Sequence, residues 1–267
     1  MISSPYRYPG GKSKLLPMLM DHISPLLDNE DSFCDAFIGG GSVLLTVAEK
    51  YPNIKLYAND KDYWISCFWD VVASEDKNQL SELLSMVNCQ PTLDMFYNLR
   101  TDTSKDKLQC AFKALFFNRC TFSGILNSGP IGGKLQLSKY KIDCRYNVKS
   151  LQDKIIKANQ LLAGRTVIEN KDFSIYLPKI NCPIYVDPPY FYKASGLYFK
   201  YMVNHEHTEL FNILKSKSKW VLSYDDCSEI RDLYKDKTII DLNARYCING
   251  KKTQWNKKNE LIILGSI

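Results

Sequence analysis

The stretch Phe33-Cys-Asp-Ala-Phe-Ile-Gly-Gly-Gly-Ser42 decides the fold, because an apolar run passes through three consecutive glycines into a helical pattern. The run 33–37 predicts a buried strand, and the pattern from Ser42 to Lys50 predicts a helix. Glycines in such a turn let a ligand approach the backbone closely, and the N-terminus of the helix offers unpaired N–H groups. The stretch therefore predicts a strand, a ligand-binding turn and a helix in succession.

Strand and helix patterns alternate along most of the remaining chain. Further strands are predicted over 54–58, 166–169, 183–186, 220–223, 238–242 and 260–264. Helices are predicted over 13–22, 63–72, 150–162, 205–215 and 227–234, with Asn204 and Asp226 as the caps of the last two. This alternation predicts an α/β fold with a mainly parallel, doubly wound sheet of about seven strands and helices on both faces.

The composition is that of an ordinary globular protein. With 267 residues, 45% of them hydrophobic and 24% charged, the chain is expected to form one large or two modest domains, which excludes a disordered tail and a fibre. No apolar run approaches the ~18–20 residues of a membrane helix and no signal region opens the chain, so we expect a cytoplasmic protein without a membrane partner. The nine cysteines form no CxxC pair, which favours reduced thiols over a metal site.

The alternation stops over 73–149, where two helical patterns, 80–87 and 108–117, precede a glycine- and serine-rich stretch. Nine basic and two acidic residues lie between Lys105 and Lys149, a local excess of seven positive charges. We therefore predict one domain from 1–72 with 150–267, and a mostly helical inserted domain, 73–149. The basic residues here, and a second cluster near the C-terminus, indicate a polyanion partner, although a solvated surface explains a single cluster equally well.

Two acidic motifs follow predicted strands. Asp60, about 20 residues after the glycine turn, is placed to bind ribose hydroxyls. Asp187-Pro-Pro-Tyr190 follows the run 183–186. Because two prolines cannot continue a strand, they hold the carboxylate and the ring at the edge where open α/β sheets bind ligands.

A phosphate loop at 8–13 is not predicted, since Tyr6 stands where that motif requires glycine.

Together, the glycine turn, Tyr8-Pro-Gly-Gly-Lys12, Asn59-Asp60, Asp172-Phe173 and Asp187-Pro-Pro-Tyr190 resemble the Dam-type, adenine-N6-specific DNA methyltransferases. The resemblance implies a Rossmann-like sheet that binds S-adenosylmethionine, with the insert as a target-recognition domain. It implies methyl transfer to the exocyclic N6 of an adenine flipped out of double-stranded DNA. It implies no metal.

The resemblance also implies roles for individual residues. Asp187 and the Pro188 carbonyl would accept hydrogen bonds from N6, and Tyr190 would stack on the flipped base. The implied catalytic residues are Asp187, Pro188, Pro189 and Tyr190. The implied cofactor-binding residues are Tyr8, Lys12, Phe37, Gly39, Gly41, Asp60, Asp172, Phe173 and Asp187. The predicted DNA-binding residues are Asn118, Arg119, Lys134, Lys139, Lys251 and Lys252.

Three alternatives stay open at this point: an RNA adenine methyltransferase, a DNA cytosine-N4 methyltransferase and a catalytically inactive DNA-binding relative. Asp187 favours adenine, because cytosine-N4 enzymes usually carry serine at that place. The stretch Ile125-Leu-Asn-Ser128 lacks the arginine with which GATC-specific relatives read guanine, so GATC is not predicted as the target. The resemblance implies a bacterial or bacteriophage-infected cell, in which a cognate restriction endonuclease would act separately.

The sequence His205-Glu-His207 is similar to a metal-binding pattern. Residues two apart on a helix face different sides, unlike zinc ligands four apart. We interpret this tripeptide as the capped, exposed start of the helix.

Overall fold

Seven strands form one sheet in the computed structural model, which describes residues 3–7, 15–191, 202–245 and 257–265. The strands are β1 (Ser32–Asp35), β2 (Lys55–Asn59), β3 (Thr166–Glu169), β4 (Ile184–Val186), β5 (Trp220–Asp225), β6 (Thr238–Arg245) and β7 (Lys257–Leu264). Their order across the sheet is β3-β2-β1-β4-β5-β7-β6. The first five are parallel, and β7 runs antiparallel to β5 and β6. The predicted Rossmann-like, mainly parallel sheet is confirmed.

Helices connect most of the strands. They are α1 (Leu16–Ile23), α2 (Ser42–Lys50), α3 (Tyr63–Ala73), α4 (Lys77–Val87), α5 (Leu93–Thr101), α6 (Lys107–Cys120), α7 (Val148–Leu162), α8 (Phe173–Tyr176), α9 (Asn204–Lys215) and α10 (Ser228–Leu233). The strand order reverses between β1 and β4, because the chain winds outward in one direction from β1 and in the other from β4. In open α/β sheets, such a switch point opens a crevice at the carboxyl ends of the strands.

The helix boundaries show which local signals were missed or misread. The sequence patterns did not predict α5, although the Thr92 side chain accepts a hydrogen bond from the Met95 N–H as an N-cap should. The two predicted caps are wrong, since α9 follows Val203 and α10 follows Cys227. Asp226 forms an ion pair with Arg231 instead, at 2.6 Å.

The segment 73–149 packs closely against the sheet domain through α3. The Trp64 ring on α3 stacks on Phe117 of α6 at 5.8 Å, and buried residues of both segments form one continuous hydrophobic cluster. Even Lys113 of α6 is fully buried, because the Asp102 carboxylate binds its ammonium group at 2.6 Å. The described helices therefore share a core with the sheet, and the division into two domains stays a prediction.

None of the helices in the described ranges is both long and apolar enough to cross a membrane.

Candidate active site

A carboxylate stands at or just after the carboxyl end of every strand in the parallel part of the sheet. These residues are Asp35, Asp60, Asp172, Asp187 and Asp225, after β1, β2, β3, β4 and β5 respectively. Parallel strands end at the same edge, so the topology brings together acids that are up to 190 positions apart in the chain. This edge contains the switch point and is the candidate active site.

The glycine turn between β1 and α2 depends on its glycines for two physical reasons. Gly39 and Gly41 have φ values of 42° and 67°, a left-handed conformation that side chains disfavour. A Cβ at Gly41 would also overlap the Trp69 indole ring. The Trp69 indole N–H in turn donates to the Gly39 carbonyl at 2.9 Å, and the Ser4 hydroxyl donates to the Gly40 carbonyl at 2.5 Å. These contacts hold the turn in one conformation.

The turn forms one wall of a pocket of about 330 Å³, which opens between β1 and β4. Asp35 and Asp187 both line the pocket. Burial raises the pKa of Asp35 to about 8, and the neighbouring charge of Asp187 adds to the rise. The Oδ1 atom of Asp35 is buried and has no hydrogen-bond partner among the described residues. A buried, unpaired carboxylate oxygen is costly, and a cationic or N–H group of a ligand would satisfy it.

The predicted catalytic tetrapeptide begins directly after β4. Asp187 is partly exposed, whereas Pro188 and Tyr190 are buried and Pro189 is half-buried. The Ser223 hydroxyl donates to Oδ1 of Asp187 at 2.8 Å. After the tetrapeptide, the Phe191 N–H donates to the Asp225 carboxylate at 3.1 Å. Neighbouring β5 thus holds both ends of the turn.

Asp60 and Asp172 lie on the far side of the glycine turn. The Asp60 carboxylate accepts hydrogen bonds from the Gly39 N–H at 3.0 Å and the Asp62 N–H at 2.8 Å. Partial burial raises the pKa of Asp172, but hydrogen bonds from Lys61 and Ser174 outweigh that effect and hold the pKa below its ordinary value. The structure therefore brings both predicted cofactor acids to the same edge as Asp187.

Two aromatic rings lie beside these acids. Phe37 of the glycine turn packs against Phe173, with the ring centroids 6.0 Å apart. Both were predicted to contact the cofactor, and the structure places them together.

Asn118 and Arg119 occupy a different environment from the one predicted. Both side chains are buried, 1% and 8% exposed. The Asn118 amide accepts from the Arg7 N–H at 2.7 Å and donates to the Arg7 carbonyl at 2.5 Å, and Arg119 donates to the Pro5 carbonyl. The two residues therefore attach the N-terminal segment to α6 and do not form part of the exposed basic surface.

The remaining predicted DNA-binding residues divide into two groups. Lys134 and Lys139 are exposed on the insert, as a phosphate contact requires. Lys251 and Lys252 lie outside the described residues, as do the predicted cofactor residues Tyr8 and Lys12. Of the nine basic residues in the insert's cluster, only Lys113 and Arg119 are buried, so most of the positive charge faces solvent.

The interpretation of His207 as part of an exposed helix start is wrong. The ring is 2% exposed, its Nδ1 atom is hydrogen-bonded to the Tyr224 hydroxyl, and burial lowers its pKa. The Phe191 ring packs on it at a centroid distance of 4.9 Å. No group of three His, Cys, Asp or Glu residues in the described part of the chain is arranged to hold a metal ion.

Three residues of the site were not singled out by sequence reasoning. Asp35 had a readable signal, because it is an acid at a strand end, as Asp60 and Asp187 are. Trp69 and Tyr185 had none, since an aromatic residue in a helix or a strand normally predicts only a core position.

The chain is similar to several known proteins. The D12 class N6 adenine-specific DNA methyltransferase family matches residues 8–248. The type II methyltransferase M.MjaIII of Methanocaldococcus jannaschii is 24% identical over 202 residues, which cover 69% of this chain and 68% of that protein. The solved precorrin-6y C5,15-methyltransferase of Geobacter metallireducens GS-15 aligns over 97% of this chain and 100% of its own, at 9% identity and a TM-score of 0.39.

Proposed function

Because the chain belongs to the D12 class N6 adenine-specific DNA methyltransferase family, we propose that it transfers the methyl group of S-adenosylmethionine to N6 of an adenine flipped out of double-stranded DNA. One observation carries the proposal. The carboxylate of Asp187, fixed by a two-proline turn, lines the same pocket as the glycine turn. A methyl donor in the pocket and a base beside the turn would then meet at Asp187.

The residues of the pocket fit S-adenosylmethionine. This cofactor supplies an electrophilic sulfonium methyl group, and it carries an ammonium group and two ribose hydroxyls. The Oδ1 atom of Asp35 has no partner among the described residues and would accept an N–H of the ammonium group, and the side-chain-free turn at Gly39 and Gly41 lets a ligand approach the backbone. Asp60 would hold the ribose hydroxyls, and Asp172 and Phe173 would hold the adenine.

Asp187 and Pro188 are proposed to orient the amine that is methylated. The lone pair of the exocyclic N6 is delocalised into the adenine ring, so the amine is a weak nucleophile. When the Asp187 carboxylate and the Pro188 carbonyl each accept one N–H, the lone pair points toward the methyl group and the developing positive charge is stabilised. Tyr190 would stack on the base and offset part of an unstacking cost of about a few kcal/mol.

The insert 73–149 is proposed to bind the DNA target. Lys134 and Lys139 are exposed there and would contact phosphates. Lys251 and Lys252, which belong to the basic cluster of the sequence near the C-terminus, would add further contacts. Asn118 and Arg119 would act indirectly, by holding the N-terminal segment. We further propose that the reaction takes place in the cytoplasm of a bacterial or phage-infected cell, where a cognate restriction endonuclease would act on the same site.

The proposal is tested by transfer of labelled methyl groups from S-adenosylmethionine to DNA of a methylation-deficient host, followed by nucleoside analysis. N6-methyladenine at one short motif is the expected product, and Asp187→Ala protein is the control for contaminating activity. N4-methylcytosine, or label in RNA alone, would identify another substrate. Absence of any transfer by protein that still binds DNA would identify a catalytically inactive relative.

A further inference from the structure

We infer that Ser223 is the positioning residue that orients the Asp187 carboxylate for the reaction, and that the Tyr185 hydroxyl supports Ser223 through a hydrogen bond. The inference rests on the proposed function. Neither residue belongs to the tetrapeptide. The sheet brings them to it, since β4 and β5 are parallel neighbours with Val186 opposite Leu222. The residue after Val186 is Asp187, and the residue after Leu222 is Ser223.

The three polar groups form one chain of hydrogen bonds. Ser223 Oγ lies 2.8 Å from Asp187 Oδ1 and 2.9 Å from the Tyr185 hydroxyl oxygen. A serine hydroxyl has one proton. Because Ser223 donates that proton to the carboxylate, the Tyr185 O–H must donate to Ser223. The direction of the chain is therefore Tyr185 to Ser223 to Asp187.

Burial of the two donors makes this chain rigid. Ser223 is fully buried and Tyr185 is 2% exposed, so water does not compete for their hydrogen bonds. Tyr185 also lines the glycine-turn pocket. A buried polar network whose members are paired specifies one orientation of its groups. The network thus fixes the position of Oδ1 of Asp187 beside the pocket.

The neutrality of the donors matters for the chemistry. A lysine or arginine partner would also orient Asp187, but its positive charge would oppose the positive charge that develops on N6. Hydroxyl donors orient the carboxylate without adding a positive charge of their own. The structure therefore assigns Ser223 a role in the rate of methyl transfer and none in the binding of either substrate.

The first test is Ser223→Ala. We expect kcat to fall about 10- to 100-fold, the cost of one hydrogen bond to a charged group. The KM for S-adenosylmethionine and the Kd for DNA should stay within about twofold, and a 2-aminopurine at the target position should still become fluorescent on flipping. Ser223→Thr, which restores the hydroxyl, should recover most of kcat. A kcat within twofold of wild type, or an equal loss in the threonine variant of normal melting temperature, would overturn the inference.

The second test compares two buried tyrosines of the sheet domain. Tyr185→Phe removes the hydroxyl that donates to Ser223 and should lower kcat about three- to tenfold. This loss is smaller than that of Ser223→Ala because the hydrogen bond from Ser223 to Asp187 remains. Tyr234→Phe is the matched control, because the Tyr234 hydroxyl is buried without a partner among the described residues and takes no part in the chain of hydrogen bonds. Equal effects of the two variants would show a general packing effect and overturn the role of Tyr185.

These results are separable from a failure of the proposed function. If wild-type protein methylates no adenine in DNA, the proposed function fails. In that event, crystal structures of the wild type and Ser223→Ala still report on the Asp187 carboxylate. We expect the Asp187 side chain to change its orientation in the variant if Ser223 orients it, and an unchanged Asp187 side chain would overturn the inference.

Discussion

The pocket at the strand ends and the outer surface of the insert are built in opposite ways. Beside the pocket, the polar side chains of Tyr185 and Ser223 are buried, and Ser223 is hydrogen-bonded to Asp187. On the insert, Leu135 and Leu137 are 78% and 81% exposed, between the exposed Lys134 and Lys139. The proposed reaction site therefore depends on buried contacts within the fold, whereas the proposed DNA contacts depend on side chains that face solvent.

The largest expected effect is on the pocket side of this comparison. Asp187→Ala should lower kcat at least about 1000-fold, because it removes an acceptor that acts on the developing charge. DNA affinity should change less than about threefold, since the proposed phosphate contacts lie on the insert. Single-turnover methylation and fluorescence anisotropy measure the two effects. A comparable loss of DNA affinity would show that the pocket and the insert are not separate in function.

The glycine turn should be the part of the pocket that tolerates change least. Gly41→Ala combines a φ of 67° with an overlap on Trp69, so we expect a loss of about 2–4 kcal/mol in the free energy of unfolding. Gly129→Ala in the insert is the control, because nothing lies within 4 Å of a Cβ there. Chemical denaturation measures both, and equal stabilities would contradict the tight packing described for the turn.

On the insert side, we expect an effect on binding alone. The double variant Lys134→Gln/Lys139→Gln should weaken DNA binding about tenfold at physiological salt and flatten the slope of log K against log salt by about 2. Binding of S-adenosylmethionine should not change. Lys215→Gln/Lys235→Gln, which alters two exposed lysines outside the insert, is the control. An unchanged slope in the first variant would remove these two lysines from the DNA contact.

A separate effect concerns the pH dependence of stability. The pKa of Asp35 is about 8 in the folded protein and about 3.9 in the unfolded chain. The folded state therefore keeps the proton in this interval, and its stabilising contribution is full below about pH 4 and is lost as the pH rises through about 8. Asp35→Asn is always neutral, so its melting temperature should gain on wild type by about 10 °C between pH 5 and pH 9.

A second variant sharpens this prediction. The charge of Asp187 contributes to the raised pKa of Asp35, so Asp187→Asn should narrow the pH interval over which wild-type stability falls. Parallel melting curves of the wild type and Asp35→Asn at every pH would contradict the assignment of a protonated Asp35.

Much of the fold could be predicted because the local patterns agreed with the final packing. The strand 166–169 and the helix 42–50 have the predicted bounds, since the β-branched residues of the strand and the apolar run after the glycine turn are local signals. The predictions from sequence failed where the same local pattern is compatible with either an exposed or a buried side chain. His207 looks exposed beside His205 and Glu206, yet it turns inward to Tyr224. Arg119 looks like a surface cation, yet its guanidinium binds the Pro5 carbonyl.

By itself, the sequence determined the order of strands and helices, the glycine turn and the acid that follows β4, because each of these depends on neighbouring residues and on backbone conformation. Only the tertiary structure decided that Asp35 would share a pocket with Asp187, that Trp69 would pack over Gly41, and that Tyr185, Ser223 and Asp187 would form one chain of hydrogen bonds. The physical reason is that strand pairing and helix packing set these contacts, and the register of two strands belongs to the pair and to neither strand alone.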